Sequence, residues 1–470
     1  MKNNHLVQVL STLSRKEIRL FRQWLQSPLH NTNVELLRLY DYFIEDAQLK
    51  EQYLAQDLIW STLYPNKPLD KNYFRQINHL LLKNLEEFLG YQLYKRTVHQ
   101  EPLFMAHALH KRHLDKLLDK RLNSMERKLT NSLLKDAAYL SDDYQYKVLK
   151  FRFSERKKRT APTHIQSVSN TLDIYYCAEK LKTACLFMSH NAVYKADYSP
   201  NLLDEVLGLV EQNIWIDIPA VGIYYYCYKA LYGDNNNDFY FEHFTQHLYK
   251  YKDFFTHPEL RELYLLGINY IIRKINTGKL DYVRQAFELY KAGVEYGYLM
   301  EHNQLSPWTY RNTVIVGCKL KEFEWLEHFI PTYQKYLDAK HRRRMYNECL
   351  ARLYYTQKQY DQAIELLQQT MFKDILQNLN NKTMLAKMYY ETELKEPLDS
   401  LLTSMRVFIH RKKVLSYHEQ NYSNFAQLLQ RLTKLNPFAS RAKDELLEAI
   451  QTTQPLTERE WFLEQLNAPS

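Results

Sequence analysis

The stretch Leu350–Leu367, LARLYYTQKQYDQAIELL, is the clearest indication of the fold of this chain. Its second half, Lys358–Leu367 (KQYDQAIELL), aligns with Lys321–Ile330 (KEFEWLEHFI) at an offset of 37 residues. Its first half, Leu350–Tyr355 (LARLYY), aligns with Leu385–Tyr390 (LAKMYY) at an offset of 35 residues. Periods of about 34 residues, with apolar residues at helical spacing, are typical of repeated helix pairs. The sequence therefore predicts an α-helical repeat stacked as a solenoid.

The same stretch resembles the tetratricopeptide repeat. Leu350, Ala351 and Tyr354 match the large, small and aromatic positions of that family's first helix. Ala363 and Leu367 match the small and large positions of its second helix, and the resemblance is strongest over residues 344–377. The whole chain also resembles a group of uncharacterised tetratricopeptide-like helical proteins of Bacteroidota. The segments that carry this second resemblance are Phe21–Asn31, Leu172–Cys185 and Ser306–Asn312. Both resemblances imply a fold and no particular chemistry.

Composition favours the same fold class. The chain has 39 tyrosines and 9 glycines in 470 residues, whereas glycine makes up about 7% of an average protein. Glycine serves tight turns and close backbone approaches, and tyrosine serves packing and interfaces. The sequence therefore predicts an all-α protein with few tight loops. No stretch alternates apolar and polar residues over strand length, so no sheet is predicted.

Turn and capping signals divide the chain into four predicted segments. Ser14-x-x-Glu17 is a capping box, and Pro65 and Pro68 mark a loop. The charged run at residues 155–163 breaks the helical pattern and is predicted to separate two domains. The segments are an N-terminal helical domain (1–97), charged connecting helices (98–160), a tetratricopeptide-like domain (161–435) and a C-terminal capping helix (436–470).

Motifs for catalysis and cofactor binding do not occur in the sequence. There is no GxGxxG, GxxxxGK[ST], GxSxG or HExxH pattern, and residues 1–89 and 318–470 contain no glycine. His243 and His247 have a spacing that can hold a metal, but no further ligand lies nearby, so they are interpreted as ordinary surface or interface histidines. The prediction is a protein without cofactor or metal, and not an enzyme. An enzyme with an unrecognised site stays open as an alternative.

Cysteine content and hydropathy indicate a compartment. The five cysteines are scattered and form no CxxC pair, which is typical of free thiols in a reducing compartment. The N-terminus shows no signal peptide, and apolar runs are too short to cross a bilayer. The sequence therefore predicts a cytoplasmic protein without membrane association.

The strongest candidate site is a tetratricopeptide-type groove, which the first helix of each repeat lines in that family. With the repeat registered on Ala351 and on Ala386, the same positions recur in both repeats. The candidate groove residues are Glu348, Arg352, Tyr355, Thr383, Lys387 and Tyr390. A cation followed by a tyrosine on each helix suits an acidic or aromatic-containing peptide. The leading function is a protein-interaction scaffold.

Basic clusters support an alternative partner. The net charge is +9, and the densest clusters are Arg156–Arg159, Arg342–Arg344 and Arg411–Lys413. If they shared one face, they could follow a phosphate backbone. Acidic residues are interspersed along the chain, so a nucleic-acid-associated helical protein is the second hypothesis.

Overall fold

The computed structural model of the protein describes residues 4–46, 48–96, 100–157, 164–194, 198–212, 214–233, 237–370, 374–411, 416–436 and 440–467. Within these ranges the protein is all-α apart from one small β-hairpin and short 3₁₀ or π turns, so the predicted fold class is confirmed. The helices are α1 His5–Thr12, α2 Arg15–Gln26, α3 Val34–Asp41, α4 Gln56–Leu63, α5 Lys71–Arg96, α6 Gln100–Lys111, α7 Asp115–Thr130, α8 Ala137–Lys157, α9 Ile165–Tyr194, α10 Leu203–Gln212, α11 Pro219–Tyr232, α12 Asn237–Tyr251, α13 His257–Asn276, α14 Tyr282–Glu295, α15 Pro307–Lys319, α16 Phe323–Tyr333, α17 Ala339–Thr356, α18 Tyr360–Gln368, α19 Ile375–Glu391, α20 Lys395–Arg411, α21 Ser416–Thr433, α22 Ser440–Thr452 and α23 Arg459–Asn467.

The chain consists of two compact units. The first comprises Met1–Ser132 with Ala137–Tyr175, and the second comprises Leu133–Asp136 with Tyr176–Ser470. The division falls inside α9. The predicted boundaries near residues 97 and 160 adjoin segments outside the described residues, and those boundaries stay predictions.

The first unit begins with a bundle formed by α1–α5. Phe21 of α2 lies with its ring centroid 5.2 Å from that of Tyr40 in α3 and 5.2 Å from that of Phe88 in α5. The Tyr40 hydroxyl donates to the Ile18 carbonyl at 2.7 Å, so this phenol is satisfied inside the core. Both sides of the Ser14–Glu17 capping box form at the start of α2, as predicted.

In the second unit, helices that are adjacent in sequence pack as pairs. The packed pairs are α11 with α12, α13 with α14, α15 with α16, α17 with α18, and α19 with α20. The aligned stretches of sequence correspond to this pairing, because Lys321 and Lys358 both stand between the first and second helix of a pair. The predicted helix pairs are therefore present, and their stacking as a tetratricopeptide-like solenoid belongs to the proposal below.

One turn geometry recurs where the first helix of a pair ends. Gly278, Lys321, Lys358 and Glu393 all have positive φ, at 89°, 59°, 62° and 57°. At each turn two backbone hydrogen bonds form. The N–H of the residue with positive φ donates to the carbonyl of the residue three positions before it. The N–H of the following residue donates to a carbonyl five positions before its own. At Lys358 these bonds are 3.0 Å to Tyr355 and 2.8 Å from Gln359 to Tyr354. This is the Schellman C-cap, which glycine usually provides.

The expectation of few tight turns is therefore wrong. Ten residues other than glycine have positive φ in the described part of the chain, against two glycines. Left-handed backbone costs an L-residue about 1–2 kcal/mol. The chain forms the tight turns and accepts this cost at lysine, glutamate and histidine, so its low glycine content does not indicate an absence of such turns.

A β-hairpin connects α14 and α15 and departs from the prediction of no sheet. Met300–Glu301 pairs antiparallel with Gln304–Leu305, and His302 and Asn303 form the two-residue turn with φ of 48° and 62°. Positive φ at both turn residues is typical of a type I′ hairpin, where asparagine is favoured. Strands of two residues are too short to show an alternating pattern.

Among the described residues, no helix combines the length and the apolar character needed to cross a membrane.

Candidate functional site

Three of the predicted groove residues come together at the facing ends of α17 and α19. The Lys387 ammonium lies 5.2 Å from the centroid of the Tyr355 ring. The Tyr355 hydroxyl donates to Glu391 at 2.6 Å, and Glu391 is the residue directly after Tyr390. Tyr355, Lys387 and Tyr390 thus lie around the end of α19, and we call the surface that they form the α19 face.

The α19 face is covered by the chain itself. Residues 383–389 are all buried, and successive helical residues point about 100° apart, so neighbours surround α19 on every side. On the side of Lys387 and Tyr390, the segment that covers α19 is the C-terminal segment of the chain. Lys387 forms an ion pair with Glu458 at 2.6 Å, and the Trp461 ring lies 5.6 Å from that of Tyr390, in an edge-on arrangement.

Lys387 is held between two aromatic rings. Its ammonium lies 5.4 Å from the Trp461 ring centroid, in addition to the 5.2 Å separation from Tyr355. A cation at this distance from aromatic rings gains electrostatic energy, and more so when it is removed from water. The Lys387 side chain is only 11% exposed. Its charge is therefore balanced by Glu458 and by ring faces rather than by solvent.

Glu391 collects donors from three elements. Its carboxylate accepts the Tyr355 hydroxyl at 2.6 Å, the Tyr360 hydroxyl at 2.6 Å and the Trp461 indole N–H at 2.7 Å. Burial, together with this carboxylate, raises the pKa of Tyr355 and Tyr360 well above the ordinary tyrosine value. Both phenols stay protonated and act as donors. Glu391 thus connects α17, α18 and α23 at the end of α19.

The Glu458 carboxyl is kept ionised by its surroundings. Burial opposes its charged form, but the charges of Lys387, Arg352 and Lys319 and the hydrogen bond from Lys387 outweigh burial, so the pKa of Glu458 lies below its ordinary value. Arg352 belongs to this electrostatic environment although it stands on α17. The predicted cations Arg352 and Lys387 therefore both act on one carboxylate of the same chain.

A second set of polar side chains lies on α15 and α17, and we call Arg311, Glu348 and Arg352 the α17 cluster. Arg311 forms an ion pair with Glu348 at 2.6 Å, and their side chains are 12% and 0% exposed. Glu348 Oε2, Arg352 Nε and both polar atoms of the Asn381 side chain are buried without a hydrogen-bond partner among the described residues. Interior polar atoms are nearly always paired, so the α17 cluster retains unused donors and acceptors.

The remaining predicted residue, Thr383, does not join either group through its hydroxyl. Its side chain is buried and donates to the Leu379 carbonyl of its own helix at 2.9 Å. This contact within one helix turn is a common way for a buried threonine to be satisfied. Thr383 thus contributes to the packing of α19.

Four residues of these surfaces are absent from the sequence-based prediction. Arg311, Glu391 and Glu458 carry no motif, and Trp461 lies in the predicted C-terminal capping helix without any further signal. Its ring is buried as such a cap requires, but its indole N–H also binds Glu391. The alignment of the repeats identifies only positions within a repeat. Glu458 and Trp461 lie outside the aligned repeats, so the alignment could not indicate them.

A similar buried triad occurs earlier in the second unit. Glu259 at the start of α13 is 6% exposed, accepts from the Tyr224 hydroxyl at 2.7 Å and pairs with Lys182 at 3.0 Å. These residues connect α9, α11 and α13. All charges and the phenol are satisfied, in contrast to the α17 cluster, so the triad is interpreted as structural.

A cleft of about 630 Å³ adjoins α12, α13 and α14. Its lining includes Asp238, whose carboxylate binds Lys274 at 2.6 Å, Tyr270 at 2.7 Å and Lys279 at 3.4 Å. The hydrogen bond from Lys274 lowers the pKa of Asp238 despite some burial. A carboxylate with this many donors is typical of a structural ion-pair network, so its shifted pKa alone does not favour an enzyme.

Two arginines of the basic clusters and the histidine pair have partners close by in the sequence. Arg342 donates to the carbonyls of Lys335 and Leu337 at 3.0 Å, and Arg344 donates to Lys340 at 3.0 Å. The side chains of Arg156–Arg159 and residues Lys412–Lys413 lie outside the described residues. His247 Nδ1 is 2.9 Å from the His243 carbonyl, and burial lowers its pKa.

Cysteine and metal chemistry give no further site in the described part of the chain. All five cysteines are buried and free, as predicted. Within the described ranges no group of three or more histidine, cysteine or acidic side chains is arranged to hold a metal ion.

Comparisons with known proteins find no relative for this chain. No protein-family model matches the sequence, and neither a curated protein nor a solved structure shows significant similarity to it. The resemblance to tetratricopeptide repeats therefore stays a prediction from the residues quoted above.

Proposed function

We propose that this protein is a non-enzymatic interaction scaffold or adaptor that binds a protein segment along the inner faces of α15, α17 and α19. The proposal includes a tetratricopeptide-like solenoid as the framework and the cytoplasm as the compartment. The helix pairs of the second unit and the recurring turn at their first helices support the framework.

The observation that carries the proposal is the set of unused polar atoms in the α17 cluster. Glu348 Oε2 and Arg352 Nε have no hydrogen-bond partner within the described residues. A buried donor or acceptor without a partner costs about 1–3 kcal/mol. These atoms have almost no contact with solvent in the structure. A bound peptide therefore reaches them only after the surrounding side chains move aside, and its backbone N–H and C=O groups would then recover this energy.

The charge of the inner faces indicates the chemistry of the segment. Arg311 is neutralised by Glu348. Around Lys387 the cations are Lys319, Arg352 and Lys387, and the carboxylates are Glu391 and Glu458. One positive charge is thus left over at the meeting point of α17 and α19. An acidic group on a partner would balance it, and tyrosine or tryptophan would pack beside Tyr355 and Tyr390.

Affinity capture from native cells with two matched arginine variants tests the proposal. Arg352→Ala removes the cation of the inner face, and Arg343→Ala removes an exposed arginine from the same helix. We expect Arg352→Ala to reduce recovery of specific partners at least about tenfold, since a charge-assisted contact is worth about 1.5–3 kcal/mol. Arg343→Ala should leave recovery unchanged.

Two outcomes would contradict the scaffold function. Equal partner recovery by the wild type and Arg352→Ala, with both proteins folded by circular dichroism, would remove the inner face as the binding surface. Retention on a single-stranded DNA column that falls steeply with salt would favour the nucleic-acid alternative instead.

A further inference from the structure

We infer that the α19 face recognises a helix carrying a glutamate and, three residues later, a tryptophan, and that α23 is a built-in occupant of this site. In this chain Glu458 and Trp461 provide that pair. The inference rests on the proposed function, because it names the partner chemistry and the control of the same inner surface. A partner of like chemistry would have to exchange with α23.

The acidic half of the recognised pair is defined by Lys387. Glu458 binds the Lys387 ammonium at 2.6 Å, and Arg352 acts on the same carboxylate. Glu458 takes this position with a left-handed backbone, at φ of 59°, which costs an L-residue about 1–2 kcal/mol. The contacts at Lys387 therefore outweigh a backbone cost.

The aromatic half is defined by Tyr390 and Glu391. Trp461 presents its ring to Tyr390 and its indole N–H to Glu391 at 2.7 Å. The Phe462 N–H donates to the Glu458 carbonyl, which makes Glu458 the start of the α23 helix. Glu458 itself is not in the helical conformation, since its φ is 59°. The turn at this residue and the first turn of α23 bring Glu458 to Lys387 and Trp461 to Glu391.

These contacts exceed what a capping helix requires. Trp461, Phe462 and Leu466 are buried against a core that includes Phe425, and this apolar contact alone would close the end of a repeat array. The ion pair to Lys387 and the indole hydrogen bond to Glu391 add charge and geometric specificity. Glu458 and Trp461 thereby occupy the surface formed by Tyr355, Lys387 and Tyr390, which are the residues predicted from the repeat alignment to line a peptide groove.

The link before α23 keeps the occupant close to its site. α22 ends at Thr452 and α23 begins at Arg459, and the Arg459 guanidinium donates back to the carbonyls of Ile450 and Thr453 at 2.7 and 2.6 Å. A short tether gives an effective concentration in the mM range. A free peptide identical to α23 would therefore compete only near about 1 mM, and weakening the internal contact should lower that concentration.

A peptide-exchange experiment tests the inference. The probe is a fluorescein-labelled peptide of residues 453–467, and the proteins are the full-length wild type, Glu458→Gln and the control Glu460→Gln, which changes an exposed neighbour. Anisotropy should show the probe binding to Glu458→Gln at least about tenfold more tightly than to the wild type or to Glu460→Gln. Probes carrying Glu458→Lys or Trp461→Ala should bind at least about tenfold more weakly.

A second measurement uses only the wild type and therefore tests the inference even if the Glu458→Gln protein does not fold. Hydrogen exchange of residues 459–467 in the wild type should accelerate when the unlabelled peptide exceeds about 1 mM. Unchanged exchange would overturn the inference, as would equal binding of the probe to all three folded proteins or undiminished binding of the Trp461→Ala probe.

The outcomes separate this inference from the scaffold function. Partner capture that depends on Arg352, without peptide exchange at α19, would overturn the built-in occupant and leave the scaffold intact. The opposite result is peptide exchange at α19 with no captured partner whose recovery depends on Arg352. It would overturn the scaffold function as proposed and leave the recognition of Glu-x-x-Trp intact.

Discussion

The ammonium of Lys387 lies 2.6 Å from the carboxylate of Glu458, although the two residues are 71 positions apart in the chain. Lys387 is nearly buried, and Glu458 is the acidic residue at the start of α23. The pair thus joins the C-terminal part of α19 to the start of the last described helix. The α19 face is thus occupied by a side chain of the same protein.

Breaking this pair should destabilise the protein. Lys387→Met leaves Glu458 without its nearest cation, and the free energy of unfolding should fall by about 1–2 kcal/mol, because a charge-assisted hydrogen bond is lost while Glu458 stays partly solvated. Urea denaturation of Lys387→Met, Glu458→Gln and the double variant measures the coupling. Strictly additive effects of the two substitutions would show that the pair contributes nothing.

The docking of α23 should depend on pH in the acid range. The pKa of Glu458 is lowered in the folded protein, so its stabilising effect is fully present above the unfolded value of about 4.3. That effect is lost as the pH falls through the lower, folded value. Protection of residues 459–467 against hydrogen exchange, corrected for intrinsic rates, should be constant from about pH 8 to 5 and fall below about pH 4.

Glu458→Gln is the control for this pH dependence. Its α23 should be less protected at neutral pH and should lack the acid-specific loss, since glutamine does not titrate. An identical acid profile in the wild type and in Glu458→Gln would assign the loss to other carboxylates.

The ion pair between Arg311 and Glu348 should behave as a buried pair. Arg311→Met leaves a fully buried carboxylate without its cation, and loss of one partner in such a pair costs about 3–5 kcal/mol. Adding Glu348→Gln should recover part of that loss, because the residual charge disappears. Thermal or urea denaturation of the single and double variants checks this. A double variant less stable than Arg311→Met would contradict it.

The left-handed turn at Lys358 offers a stabilising substitution. Lys358→Gly should raise the free energy of unfolding by about 0.5–1 kcal/mol, because glycine adopts positive φ without the steric cost. Lys358→Ala keeps the Cβ and should show no such gain. A Lys358→Gly protein that is less stable than Lys358→Ala would mean that the turn carries no strain.

Helix pairing in the C-terminal region follows from local sequence. The spacing of Leu350, Ala351 and Tyr354 identifies a helix face, and the recurrence of Lys358 after 37 residues from Lys321 marks equivalent turns. These features depend on residues within one or two helical turns. Tyr389, in the position that corresponds to Tyr354, is buried on α19, and its hydroxyl accepts from Gln368 of α18 at 2.9 Å.

Turn chemistry is only partly predictable in this chain. Tight turns with left-handed backbone usually contain glycine, so a low glycine content predicts few of them. In this chain lysine and glutamate occupy such left-handed positions instead. The side chains at these positions carry no distinctive signal, because the hydrogen bonds of the turn are made by the backbone.

Local pattern in the chain is thus sufficient for its all-α class and its helix pairs, and it leads to the prediction that Tyr355, Lys387 and Tyr390 share one face. It is not sufficient for what covers that face. Glu458 and Trp461 meet Lys387 and Glu391 from 71 and 70 residues away, and helical periodicity relates only residues a few turns apart. Only the packing of α23 onto α19 brings those side chains together, because burial of Trp461, Phe462 and Leu466 sets where the C-terminal helix lies.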